Sequence, residues 1–137
     1  MLLRLALVLA LASTLLVATE KKSIPNCCTS SAEKLSPKQV NTLLDKTEPI
    51  QGLCLGHNLH IKGTIALAIV VDANGEVTCV TVVSGHPLII GTAIDSVRRW
   101  KFRPYAVNGL KESFCGKVTL RYEATDCATK FEVIQAP

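Results

Sequence analysis

Gly63-Thr-Ile-Ala-Leu-Ala-Ile-Val-Val71, then Asp72-Ala-Asn-Gly75, then Val77 to Val83, then Leu88 to Phe102 read in turn as strand, tight turn, strand and helix. Ile65, Leu67, Ile69 and Val71 alternate with Ala66, Ala68 and Val70, so both faces of the first strand are apolar and one is lined by small residues. That pattern suits a central strand. Asn74-Gly75 accepts the positive φ of a tight hairpin turn, which returns the chain antiparallel to itself through Val77, Val80 and Val82. A two-stranded ribbon needs a cover. Pro87 suits a first helical turn, and Ile90, Ala93, Ile94, Val97 and Lys101 follow at helical spacing, so the helix lays an apolar stripe on the ribbon.

Working outward, Ser36-Pro37 reads as an N-cap and first-turn proline, with Val40, Leu43 and Leu44 on one face of a short helix that Pro49 ends. Asn108-Gly109 turns the chain into a last strand. There Phe114, Val118, Leu120 and Tyr122 point one way, and Cys115, Lys117, Thr119, Arg121 and Glu123 the other. A right-handed crossover puts this strand beside the first. The expected fold is α+β: a three-stranded antiparallel sheet of order 2-1-3 (β-β-α-β), with a short N-terminal helix and a main helix covering one face.

Gly63-Thr-Ile, Val71-Asp-Ala-Asn-Gly75-Glu-Val, Val82-Val-Ser-Gly-His-Pro-Leu88, Ala93-Ile-Asp-Ser-Val97, Trp100-Lys-Phe-Arg-Pro-Tyr105 and Asn108-Gly109 stand in an order and spacing that resembles the TonB C-terminal domain family over about Ser36 to Thr125. The resemblance implies a small α+β domain whose work is protein recognition without catalysis. In that family the domain binds a short box near the N-terminus of outer-membrane transporters and passes on energy from an inner-membrane motor. Cys54-Leu-Gly-His57-Asn-Leu-His60 departs from the family, which carries a proline-tyrosine-proline segment there.

Composition bounds the rest. The chain of 137 residues has room for one domain with a modest core, and its net charge of +4 is too mild to argue for nucleic acid. No aromatic and basic residues interleave as a stacking platform requires. Clustered carboxylates, a phosphate loop and a Ser-His-Asp constellation are all lacking, so no enzyme, catalytic residue or cofactor is expected.

Arg4 followed by the uncharged run Leu5 to Thr19 falls short of the roughly 20 residues of a spanning helix and suits a signal peptide, residues 1–18. An irregular cysteine-containing arm (19–35), the domain (36–125) and a tail (126–137) follow. Export to the periplasm is expected, with tethering to the inner membrane by an uncleaved leader as the alternative. Cys27, Cys28, Cys54, Cys79, Cys115 and Cys127 all lie beyond the leader, and an exported chain oxidises an even set, so disulfides are the reading and their connectivity stays open. Cys54, His57 and His60 offer zinc-type donors, but no fourth ligand is indicated and Cys54 has disulfide partners, so a structural loop is preferred and no metal is expected.

Two candidate surfaces emerge. Open sheet edges at Val77, Cys79 and Thr81, or at Lys117, Thr119, Arg121 and Glu123, would receive an extended segment of a protein partner, such as an outer-membrane receptor segment, or a second copy of the chain as a strand-mediated homodimer. Arg98, Arg99, Lys101 and Arg103 form a docking patch for an anionic surface, although cations at a helix end more often complement its dipole. The alternative function is a disulfide-stapled periplasmic scaffold without a transporter. A full transducer is not expected: the stretch from Thr19 to Ser36 reaches at most about 60 Å and lacks a proline-rich spacer.

Overall fold

The computed structural model describes residues 27–28, 31–49, 54, 56 and 58–134. The leader with its cleavage site, most of the arm, and His57 lie outside the described residues. Strands β1 (Glu33–Lys34), β2 (Leu44–Lys46), β3 (His60–Val71), β4 (Val77–Ser84), β5 (Lys101–Phe102), β6 (Tyr105–Val107), β7 (Leu110–Glu112), β8 (Phe114–Thr125) and β9 (Ala128–Val133) are joined by helices α1 (Pro37–Leu43) and α2 (Pro87–Val97).

β3 and β8 pair along their whole length, from His60 opposite Thr125 to Val71 opposite Phe114. β4 lies on the other side of β3. The class is α+β with two helices, as expected, but the expected three-stranded sheet of order 2-1-3 is corrected. The sheet holds five strands in the order β1-β8-β3-β4, with β9 also pairing β8. The additions are a parallel bridge of β1 to the start of β8 and an antiparallel hairpin of β9 onto its end. Two small ladders, β2 with β5 and β6 with β7, stand apart from it.

Directly opposed residues share a face of an antiparallel sheet. Ile65 and Leu67 therefore lie beside Leu120 and Val118, and all four are fully or almost fully buried under the helices with Ile69, Val71 and Phe114. α2 buries Ile89, Ala93, Ser96 and Val97 there. Ser96 is the buried polar residue, and its hydroxyl donates to the Glu48 carbonyl at 2.7 Å, which fixes the segment after β2 to the helix. α1 starts as expected, with a reciprocal cap: Gln39 donates its N–H to the Ser36 hydroxyl and accepts from the Ser36 N–H.

Both helices end earlier than their periodicity suggests. Leu44 leaves α1 for β2, and Lys101 and Phe102 leave α2 for β5, because pairing Leu44 with Phe102 buries the phenyl ring and satisfies extended backbone. Phe102 then meets Phe114 edge-on at 5.8 Å, and its N–H donates to the Gly75 carbonyl at 2.9 Å. Gly75 has φ of 85°, and a Cβ there would run into the Phe102 carbonyl, so glycine is needed for both conformation and close approach.

Gly116 plays the second tight-approach role. It faces the helices, and a Cβ there would strike the Val40 side chain, which is fully buried. Gly116→Ala is therefore expected to lower the unfolding free energy by about 1–3 kcal/mol. Urea unfolding should show that Gly116→Ala combined with Val40→Ala costs less than the two single changes added, because the pair shares one contact.

The Tyr105 hydroxyl donates to Glu33 at 3.2 Å and ties β1 to β6. Desolvation raises the Tyr105 pKa above 10.0, with the negative charges of Glu33 and Glu112 adding to it. Folding thus favours the neutral phenol, and this contribution is complete below pH 10 and lost as the pH rises through the higher folded value. Tyr105→Phe should flatten that part of the alkaline stability profile, measured by urea unfolding across the range.

Candidate functional site

Sheet edges decide what this fold can offer a partner, because an unpaired strand presents rows of free N–H and C=O groups. On β8 the outer side is taken. Leu120 to Thr125 pair with β9, the Ile134 N–H donates to the Thr119 carbonyl at 2.9 Å, and the Leu35 N–H donates to the Cys115 carbonyl at 2.9 Å. Thr119, Arg121 and Glu123 therefore sit where the strand is flanked on both sides, and the expectation of an open edge is corrected there, while Lys117 falls between the β1 and β9 pairings. Their side chains lie on the face away from the helices, where Arg121 pairs with Glu132 and Glu123 with His60.

β9 is what the sequence reading missed. Ala128-Thr-Lys-Phe-Glu-Val133 alternates polar and apolar, and Asp126 takes a positive φ of 43° at the turn before it. Phe131 and Val133 pack on the core, so the stretch read as a tail is a strand with a half-buried face.

Among the described residues, β4 is the open edge: its only strand neighbour is β3. Two irregularities interrupt its pairing, since Val70 and Val71 oppose Cys79 and Val77, and Ala66 and Leu67 oppose Ser84 and Val82. Thr78 and Val83 are thus the extra residues of two bulges. Of the residues singled out here, Val77 borders the first bulge, while Cys79 and Thr81 fall in the regular run between the two.

The six cysteines form three disulfides: Cys27 with Cys79, Cys28 with Cys115, and Cys54 with Cys127. Cys79 and Cys115 both oppose Val70, one from each side of β3, on the face away from the helices. Two strand spacings, about 10 Å, separate their Cα atoms, which is too far for one disulfide. Adjacent Cys27 and Cys28 bridge that gap by taking one partner each, with Cα separations of 5.8 and 5.7 Å. Glu33 and Lys34 then pair with the start of β8 as β1. Cys54 is held in its disulfide and so is no thiolate ligand beside His60.

The four cations do not form one patch. Lys101 binds Glu76 at 2.8 Å, and the Arg103 guanidinium donates to the Thr42 carbonyl at the end of α1. α2 ends at Val97 with Arg98 as its C-cap, and Lys101 and Arg103 lie beyond the helix end. Arg98 and Arg99 remain exposed. Trp100 is buried in the core.

Peptide mapping under non-reducing conditions should recover the three pairings above and no free thiol. Replacing Cys54 and Cys127 by Ser is expected to cost about 2–4 kcal/mol of unfolding free energy, since their disulfide closes a long loop.

The sequence matches the family described as Gram-negative bacterial TonB protein C-terminal over residues 57–124. No curated protein and no solved structure gives a match.

Proposed function

Residues 57–124 belong to the TonB C-terminal family, and from that premise we propose that the chain is an exported, non-catalytic recognition module of the cell envelope that takes an extended segment of a partner protein along β4. The observation that carries this reading is the asymmetry of the sheet: among the described residues, β8 is flanked on its outer side by β1 and β9, whereas β4 has a strand neighbour on one side only. Strand addition needs such an edge. The family's contact with outer-membrane transporters makes a receptor segment the partner this reading favours, with the periplasm as the compartment; three disulfides accord with an oxidising one.

Magnitudes limit what the backbone alone can do. Between the bulges, Cys79 to Val82 form the regular run, and alternate residues of an antiparallel edge turn both backbone groups outward. That run offers about four hydrogen bonds of about 1 kcal/mol each. Association costs about 4–15 kcal/mol in lost freedom, so side-chain contacts must supply the surplus. The bulges also favour a second reading, a disulfide-stapled periplasmic scaffold without a transporter partner, in which they keep β4 from pairing at all.

A photo-crosslinking residue placed at Thr81, and as a control at Thr119, separates the two. Under the first reading, crosslinking in intact cells joins position 81 to the N-terminal segment of an outer-membrane receptor and leaves position 119 unjoined. Receptor capture at neither position supports the scaffold, and capture at position 119 alone rejects the β4 edge.

A further inference from the structure

The end of the open edge carries side chains that no fold contact explains. Four large apolar residues are exposed among the described residues, and two of them, Val83 and Leu88, flank the connection from β4 to α2. Val83 is the bulged residue at the end of β4 and is 57% exposed; Leu88 stands in the first turn of α2 and is 52% exposed. The start of α2 is set by Pro87 and by the His86 ring, whose Nδ1 accepts from the Leu88 N–H at 3.2 Å, and that bond uses Leu88 backbone only.

Charge sharpens the picture. From Val77 to Ile94 the chain carries no Asp, Glu, Lys or Arg, whereas β8 and β9 on the opposite flank carry Arg121, Glu123, Lys130 and Glu132. An incoming strand on β4 therefore finds free backbone groups and the exposed Val83 and Leu88 toward one end, while the ion pair of Lys101 with Glu76 stands at the other end.

We infer that the β4 edge selects an extended, uncharged peptide segment ending in a large apolar residue, which seats against Val83 and Leu88. The inference rests on the strand-addition reading above and adds the chemistry of the partner. The regular run at Cys79 to Val82 sets the paired length, and the apolar end residue supplies the contact that this short run lacks.

The test uses the full oxidised protein and a phage-displayed library of random heptapeptides, with hydrogen exchange to locate the bound peptide. The expected result is a set of uncharged heptapeptides with Leu, Ile, Phe or Met at one end that protects β4 amides. Their affinity should fall at least tenfold for Leu88→Ser and for Val83→Ser, and Leu110→Ser, at the distant β6–β7 turn, should leave it unchanged. Either variant that fails to fold is replaced by the other, and truncating the end residue of the peptide gives the same answer without touching the protein. Peptides that protect β4 with no end preference and no response to Val83 or Leu88 would overturn the inference and leave strand addition standing. Enriched peptides that protect another surface, or no enrichment at all, would overturn both. So would a concentration-dependent dimer with β4 protected, which would assign the edge to a second copy of the chain.

Discussion

The pairing of β3 with β8 along their whole length is the constraint from which the other placements follow. With Val71 opposite Phe114 and His60 opposite Thr125, every side chain of both strands is committed to one face. A slip of one residue would turn Ile65, Leu67 and Ile69 out of the core and bring Ala66, Ala68 and Val70 under the helices. The same register brings Gly116 beneath Val40, so that α1 can sit close, and sets Cys115 level with Cys79 across Val70.

Much of this was legible from local pattern. The β3–β4 hairpin follows from Asn74-Gly75 between alternating apolar runs, the start of α1 from Ser36-Pro37-Lys-Gln39, and the two faces of β8 from strict alternation after Phe114. Tertiary pairing decided the rest. Leu44 fits the apolar stripe of α1, and Lys101 that of α2, yet both go into strands because the segment carrying Phe102 gains more by pairing with β2 and docking on Gly75 than by one further helical turn.

The surface was less legible than the core, for a related reason. Whether a strand is an edge depends on what else the chain lays beside it, and the β9 stretch reads as a tail although Thr129, Phe131 and Val133 alternate with charged residues. Closing β8 in this way leaves β4 as the open flank among the described residues. The cations at the end of α2 illustrate the same point: Lys101 and Arg103 look alike in sequence, but one answers the Glu76 carboxylate at the start of β4 and the other a carbonyl at the end of α1.

The vicinal cysteines also determine how the domain bears mechanical load. A pull on the chain at Cys27 runs through two covalent bridges, into β4 by Cys79 and into β8 by Cys115, so the tension divides to either side of β3 at the level of Val70. The hydrogen bonds of the brief β1 bridge, which would otherwise tear one after another, carry none of it. A tether attached upstream would therefore load β4 and β8 together, with β3 held between them.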